Sequence, residues 1–240
     1  AWCWRANGGT TASNTDGSIT STVQANTKAG FSIVTYTGTG SNATFGHGLN
    51  QAPEFMIIKQ RGGTNNWIAY AENQGATKRS NVNNTLGFTS SSSSFNSTAP
   101  TSSVVSLGTS AGTNSSGSDY IAYCWHNVAG FQNFTTYIGN GNTDGPFVYL
   151  GFRPRMLFIK STGSASWYVL DTARDTSNPA TTLLNWDTDS SESTIGSTNN
   201  FDVVSNGLKI RTSGSGLNGN GTEFVIGAWG DVPVKYGNTF

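Results

Sequence analysis

Residues 53–59, Pro-Glu-Phe-Met-Ile-Ile-Lys, recur as residues 154–160, Pro-Arg-Met-Leu-Phe-Ile-Lys, and this repetition decides the fold. Three further pairs of similar segments follow the same order along the chain: 30–40 with 130–141, 67–70 with 167–170, and 118–125 with 222–229. Self-similarity at a fixed period is typical of duplicated structural units. The 240-residue chain is therefore predicted to contain two tandem repeats.

Both repeats consist of short apolar and aromatic runs separated by Gly, Asn, Ser and Pro, without a sustained period of 3.6 residues. This pattern predicts an all-β fold of tandem antiparallel β-sandwiches with almost no helix. The sharpest hairpin signal is Asn206-Gly207. Two separate sandwiches are favoured over one interlocked sandwich, although residues 120–126 run almost directly into 131–138.

The repeats set the expected domain boundaries at residues 30–129 and 130–240. Residues 1–4 match 122–125, the last strand of a repeat, so residues 1–29 are expected to be the end of a preceding repeat plus a linker rich in Gly, Ser, Thr and Asn. The chain is accordingly expected to be the end of something longer. Two polar stretches at matching places in the repeats, 89–101 and 188–200, are predicted to be mobile loops.

The composition argues against two classes of partner. Only 11% of the residues are charged, with 13 basic against 13 acidic, so no broad positive field exists to bind nucleic acid. No run of about 18 apolar residues exists for membrane insertion. The cysteines, Cys3 and Cys124, lie in strand-like apolar runs and are predicted to be buried free thiols.

The sequence carries no motif for catalysis, and we expect no catalytic residues. It has no Gly-x-Ser-x-Gly elbow, and Cys124 has no activating base nearby in sequence. The acidic residues are scattered, whereas glycoside hydrolysis requires two neighbouring carboxyl groups. His47 and His126 lack a partner at a metal-ligand spacing, so no zinc site is expected.

Two charged groups have both a functional and a structural interpretation. Asp187, Asp189 and Glu192 could bind calcium through oxygen ligands, but a solvated loop is favoured because the first repeat has serines there. We expect no cofactor, with calcium as the open alternative. Arg174, flanked by acidic residues at 171 and 175, is expected to form surface ion pairs in preference to sugar contacts.

The tryptophans divide into two groups. Four of them, Trp67, Trp125, Trp167 and Trp229, recur in step with the repeat, as core positions do. Trp186 has no counterpart and stands between Asn185 and Asp187. Because sugar rings stack on aromatic rings while their hydroxyls bond to amides and carboxylates, these three residues are the predicted ligand site.

Four segments also resemble repeats near the C-terminal end of phage tail and tail-fibre proteins, especially those of marine and cyanobacterial phages. They are Thr-Tyr-x-Gly-x-Gly at 136–141, Gly-Pro-Phe-Val-Tyr-x-Gly-Phe-Arg-Pro at 145–154, Trp-Tyr-x-x-Asp at 167–171 and Leu-Lys-Ile-Arg-Thr at 208–212. The resemblance covers nearly the whole chain. It implies a concanavalin-like or jelly-roll sandwich on the virion surface, outside the host cell, that adheres to surfaces.

Three functions follow as hypotheses. The first is a non-enzymatic virion module, in a tail or tail fibre, that binds a host-surface glycan or receptor through polar loops. The alternative is a structural or decoration domain that contacts other virion subunits, as a homo-oligomer, through sheet edges or faces. A glycanase is the third hypothesis, and it lacks an acid pair in the sequence.

Overall fold

The fold is known from a computed structural model that describes residues 3–6, 9–194 and 201–231. It confirms the all-β prediction, because antiparallel strands dominate these ranges and the helices within them are short. The chain divides into two compact units: unit 1 is residues 1–82 with 88–128, and unit 2 is residues 83–87 with 129–240. Within the described ranges, no helix has the length and apolar character needed to cross a bilayer.

Unit 1 is a sandwich of a large sheet, in the order β1-β2-β3-β10-β5-β6-β7-β8, and a small sheet of β4 and β9. Tyr36 and Met56 from the large sheet share one core with Phe45 and Val105 from the small sheet. The elements are β1 (Ala12–Asn14), β2 (Ser21–Asn26), β3 (Phe31–Thr37), β4 (Ala43–Gly46), β5 (Phe55–Gln60), β6 (Ile68–Ala71), a 3₁₀ turn (Glu72–Gln74), β7 (Lys78–Asn81), β8 (Thr89–Ser90), α1 (Ser92–Phe95), β9 (Val104–Leu107), α2 (Ala111–Asn114) and β10 (Asp119–Trp125).

Unit 2 is built in the same way, from a large sheet in the order β11-β19-β13-β14-β15-β16 and a small sheet in the order β12-β18-β17. Leu157 and Ile226 from the large sheet pack in one core with Val148 and Leu208 from the small sheet. The elements are β11 (Gln132–Ile138), β12 (Phe147–Tyr149), β13 (Pro154–Ser161), β14 (Trp167–Asp171), β15 (Thr182–Asn185), β16 (Ser193–Thr194), β17 (Phe201–Val204), β18 (Gly207–Ile210), α3 (Ser215–Asn218) and β19 (Glu223–Gly230).

A buried tyrosine fixes the same short helix in both units. The hydroxyl of Tyr36 donates to the carbonyl of Thr113 at 2.6 Å, and the hydroxyl of Tyr137 donates to the carbonyl of Leu217 at 2.6 Å. Burial raises the pKa of both tyrosines well above the usual value, so both hydroxyls remain protonated donors. Each bond ties the sheet strand that carries the tyrosine to α2 or α3.

In unit 1, the residue after this contact, Asn114, is fully buried and satisfied by backbone groups. Its amide oxygen accepts the N–H of Thr39 at 2.8 Å, and its amide nitrogen donates to the carbonyls of Gly108 and Ser41 at 2.8 and 2.7 Å. An amide side chain supplies both an acceptor and two donors, which these three loop groups require together.

In unit 2, Asn218 takes the same position. Its oxygen accepts the N–H of Asn140 at 2.8 Å, and its nitrogen donates to the carbonyls of Thr212 and Asn142 at 2.6 and 2.8 Å. Asn218 therefore holds the loop of residues 139–144, which leads directly into β12.

Two segments differ from the expectation of polar linkers and loops. Residues 12–14 and 21–26, expected within a linker, form β1 and β2, and β2 pairs with β3 from Thr22↔Thr35 to Asn26↔Phe31. Residues 89–101, predicted to be a mobile loop, contain β8 and α1, which buries Phe95 in the core. Of the second predicted loop, residues 195–200 lie outside the described residues.

Two predictions of burial were wrong. Cys3 is exposed, whereas Cys124 is buried, and burial raises the pKa of its thiol to about 12. Trp67, expected in the core, has an exposed fraction of 38%. The other three tryptophans that recur with the repeat are buried.

Candidate functional site

The predicted ligand site lies at the end of β15, and Trp186 there packs against other aromatic rings. Its ring centroid lies 5.3 Å from that of Phe158 and 6.3 Å from that of Trp167, with which it stacks at 26°. The N–H of Trp186 donates to the carbonyl of Trp167 at 3.0 Å. Trp186 is half-buried, and the buried part of its ring packs against other residues of unit 2.

Asp187, beside it, takes part in the same cluster. Its Oδ1 accepts the N–H of Trp167 at 2.9 Å, and its buried Oδ2 has no hydrogen-bond partner among the described residues. The nearby Lys160 is fully buried, with its ammonium bonded to the carbonyls of Thr85, at 3.0 Å, and Ala165. Burial lowers the pKa of Lys160 to about 8, against the opposing effect of Asp187. The charge of Asp187 therefore acts on a buried ammonium group.

The interpretation of Asp171, Arg174 and Asp175 as surface ion pairs was incomplete. Arg174 does contact Asp171, at 3.3 Å, and Glu192, but both aspartates are buried. Burial opposes ionisation of Asp175, yet the backbone N–H groups that it accepts, including those of Thr181 and Thr182, lower its pKa below the usual value. Asp175 therefore organises a turn.

The acidic loop does not assemble a metal site in the part of the chain that the structure describes. Asp189 is exposed, Asp187 bonds to backbone, and Glu192 pairs with Arg174. Across the described residues, no three His, Cys, Asp or Glu side chains converge on a possible metal position.

The structure brings together two carboxylates that are separated in sequence. Glu54 precedes β5 and Glu72 follows β6, and antiparallel pairing of these strands places both at one cavity of about 320 Å³ in unit 1. Burial raises the pKa of Glu54 above the usual value, although Oε2 of Glu54 accepts the N–H of Asn127 at 2.7 Å. The scattered acidic residues of the sequence gave no sign that Glu54 and Glu72 line one cavity.

A second feature that the sequence analysis missed lies on the small sheet of unit 2. Phe147 and Tyr149, on β12, have exposed fractions of 47% and 65%, while Val148 between them is buried in the core. Side chains alternate across a strand, so the two rings stand on one side, with Cα atoms about 7 Å apart. We call this side of β12 and β18, with Lys209, Asp144 and Arg211 beside the rings, the aromatic face.

The ring of Phe147 rests on a glycine. A Cβ atom at Gly207 would lie 2.9 Å from Cζ of Phe147 and 2.1 Å from the carbonyl oxygen of Val148, so a side chain does not fit there. The predicted hairpin at Asn206-Gly207 is confirmed, since β17 and β18 pair from Phe201↔Ile210 to Val204↔Gly207. The glycine provides space for the ring.

Charged groups line the same face in pairs. The ammonium of Lys209 lies 2.7 Å from Oδ1 of Asp144, and Arg211 contacts Asp202 at 2.6 Å and Asp144 at 3.4 Å. Lys209 is paired across the strands with Phe147, which places it beside the ring. The hydrogen bond and charge of Lys209 hold the pKa of Asp144 below its usual value, so Asp144 is ionised at neutral pH.

A family model described as a domain of unknown function, DUF7483, matches residues 1–233. The chain belongs to this family. No curated protein and no solved structure matches it.

Unit 1 has no counterpart of the aromatic face. When Gly40 is aligned with Gly141, and Pro53 with Pro154, the intervening residues align without a gap. Gly46 then corresponds to Phe147 and Gly48 to Tyr149. In the same alignment Ala43 corresponds to Asp144.

The N-terminal strands occupy this position in unit 1. A Cβ atom at Gly46 would lie 1.6 Å from Oδ1 of Asn14, and one at Gly48 would lie 3.0 Å from Cγ1 of Val23. The hydroxyl of Ser21, on β2, donates to the carbonyl of Gly46 at 2.8 Å. Glycines allow β1 and β2 to cover the small sheet of unit 1, whereas unit 2 presents exposed rings there.

The sequence contained the signal for this difference. Phe147, Val148 and Tyr149 alternate as a half-buried strand does, and the repeat alignment gives no aromatic counterpart for either ring. Aromatic residues at matching positions of both repeats indicate core positions. Aromatic residues present in only one repeat are therefore candidates for a functional role. Phe147 and Tyr149 share with Trp186 the lack of an aromatic counterpart in the first repeat.

Proposed function

We propose that this chain is a non-enzymatic module of a phage virion, in a tail or tail fibre, that attaches to host-surface glycans through the aromatic face. The observation that carries the proposal is the pair of exposed rings, Phe147 and Tyr149, on one rigid strand beside charged groups. Apolar sugar faces stack on aromatic rings, and sugar hydroxyls bond to carboxylates and ammonium groups. Exposed apolar patches with a polar rim mark interaction sites.

The phage assignment comes from the resemblance of the segments at 136–141, 145–154, 167–171 and 208–212 to tail-fibre repeats. The second of these segments contains both exposed rings, which links the resemblance to the aromatic face. The proposed location is the virion surface, outside the host cell. Several copies, as a homo-oligomer or with other virion subunits, would strengthen weak single contacts through avidity.

The experiment is binding of the labelled full chain to a glycan array and to polysaccharides extracted from host cells, with calcium and with a chelator. A parallel set of glycans is treated with periodate, which cleaves vicinal diols. We expect binding that periodate abolishes and the chelator leaves unchanged, because the aromatic face needs sugar hydroxyls and no metal. Absence of binding to every untreated glycan would overturn the proposal.

The cavity at Glu54 and Glu72 is the feature that would support a glycanase instead. Incubation of the full chain with the bound polysaccharide and an assay of new reducing ends decide the point. We expect no release above that of buffer. Release that Glu54→Gln abolishes would replace the proposal with an enzymatic function.

A structural or decoration role is the second candidate, because β12 is an edge strand of its sheet. The N–H of Leu150 donates to Asn206, and the carbonyl of Pro146 accepts from Ile210, so the alternate backbone groups at 147 and 149 point away from β18. Such an edge can pair with a strand of another subunit. Sedimentation of the full chain as a free monomer, without binding to virions that lack it, would exclude this role.

A further inference from the structure

The aromatic face carries charges of both signs, and its described contacts pair each cation with a carboxylate. Asp144 contacts Lys209 at 2.7 Å and Arg211 at 3.4 Å, while Asp202 contacts Arg211 at 2.6 Å. Two cations and two carboxylates leave this cluster with no net charge. A ligand that stacks on the rings therefore meets a border of charged side chains whose net charge is zero.

Asp144 is the most accessible member of this cluster, with a side chain that is 78% exposed, against 25% for Lys209. Both of its ion pairs use Oδ1, so Oδ2 is the oxygen that can accept a hydrogen bond from a ligand. Its backbone is held by Asn140, whose Nδ2 donates to the carbonyl of Asp144 at 2.9 Å, and by Asn142, whose Oδ1 accepts its N–H at 3.0 Å. The carboxylate is thus fixed beside the rings before any ligand arrives.

A neutral sugar suits this border better than an acidic one. Hydroxyl groups can donate to the carboxylate of Asp144 and accept from the ammonium of Lys209 without separating the pair. The carboxylate, sulfate or phosphate of an acidic sugar would meet the exposed negative charge of Asp144 and find both cations already neutralised. Like charges placed together across an interface lower the affinity for the wrong partner.

We propose that the aromatic face selects uncharged glycans and that Asp144 is the residue that determines this specificity. The inference rests on the proposed glycan-binding function. It adds the class of sugar and the side chain that discriminates.

The test measures binding of the full chain to neutral polysaccharides (a glucan, a mannan and a galactan) and to acidic ones (a polygalacturonate and a sulfated galactan). The informative variant is Asp144→Asn, which keeps the size of the side chain and removes its charge. The matched control is Asp189→Asn, the same change at an exposed position of unit 2.

We expect wild type to bind a neutral polysaccharide at least about tenfold more tightly than its acidic counterpart. Asp144→Asn removes the carboxylate that neutralises Lys209, while Arg211 keeps Asp202. Binding of this variant to the acidic polysaccharides should therefore rise by about tenfold, and added salt should remove that gain. Asp189→Asn should match wild type on both classes.

Two results would overturn the specificity while leaving glycan binding intact: wild type prefers the acidic polysaccharides, or Asp144→Asn and Asp189→Asn have the same preference. Wild type that binds neither class would instead defeat the proposed function itself. If the chain then forms dimers as its concentration rises, and if Phe147→Ser and Tyr149→Ser abolish these dimers, the face is assigned to protein–protein contact.

Discussion

The ammonium of Lys209 lies 2.7 Å from Oδ1 of Asp144 beside the exposed ring of Phe147, although Lys209 belongs to β18 and Asp144 to the loop before β12. The contact depends on a residue that never reaches the surface. Asn218 fixes the loop through Asn140 and Asn142, and those two residues hold the backbone of Asp144. The position of Asp144 on the aromatic face is therefore coupled to the buried framework of unit 2.

Asn218→Ala should destabilise unit 2 by about 2–4 kcal/mol, because it removes the hydrogen bonds that a fully buried amide makes to the backbones of Asn140, Thr212 and Asn142. Chemical denaturation monitored by tryptophan fluorescence measures the loss. Asn220→Ala, an exposed position two residues later, is the control and should change the free energy of unfolding by less than about 0.5 kcal/mol. Equal effects of the two variants would show that Asn218 has no special role.

Gly46→Ala should destabilise unit 1 because the new Cβ atom would lie 1.6 Å from Oδ1 of Asn14. We expect a loss of about 1 kcal/mol, because the Asn14 side chain must move away and give up its hydrogen bonds to Asp16. Adding Asn14→Ala should recover part of the loss, since it removes the atom that clashes. If the double variant is as unstable as the sum of the two single variants, β1 does not cover this strand as the structure indicates.

The stability of unit 1 should fall in mild acid because of His47. The side chain is buried, its Nδ1 accepts the N–H of Leu49, and its Nε2 lies 3.1 Å from the carbonyl of Thr101, so Nε2 carries the proton of a neutral ring. Burial lowers the pKa of His47 below its usual value of about 6.5.

Below about pH 6.5 the unfolded chain gains a proton at His47 that the folded chain does not, so the free energy of unfolding falls until the folded pKa is passed. Each unit of depression contributes about 1.4 kcal/mol to this loss. Denaturation curves at pH 7.5, 6.5 and 5.5 for wild type and His47→Gln measure it. The variant should have the flatter dependence, and parallel curves would contradict the assignment.

Unit 2 should gain stability as the pH rises above about 8, because burial lowers the pKa of Lys160 to about 8. Above that pH the folded chain loses a proton that the unfolded chain keeps up to about pH 10.4, so the free energy of unfolding rises. We expect a gain of up to about 2 kcal/mol between pH 8 and 9.5. Thermal unfolding across this range, with Lys160→Met as the variant that lacks the gain, tests the prediction.

Hydrophobic periodicity was sufficient to predict most strands, because residues such as Phe31 and Trp229 bury apolar surface on a strand of period two. It missed β1 and β2, whose Ser, Thr and Asn residues pair through the backbone. In β2, the hydroxyl of the buried Ser21 donates a hydrogen bond to the carbonyl of Gly46. A polar edge strand has no apolar pattern to detect.

The same limit applies to the candidate sites. Trp186 was selected because it stands next to Asn and Asp, but sequence proximity does not reveal that its ring meets Phe158 and Trp167. Glu54 and Glu72 come together only through the pairing of β5 with β6. Whether Trp186, Asn185 and Asp187 bind a ligand stays a prediction, and it competes directly with the aromatic face.

The decisive measurement is the affinity of the full chain for its strongest glycan, compared between wild type, the double variant Phe147→Ala with Tyr149→Ala, and Trp186→Ala. Loss of the two rings on which a sugar would stack should weaken binding by at least about tenfold, about 1.4 kcal/mol. The double variant should still fold, because both rings are largely exposed. Trp186→Ala should lower stability, since it removes a packed ring, and retain binding. Full affinity in the double variant together with lost binding in a folded Trp186→Ala would contradict the account and return the site to residues 185–187.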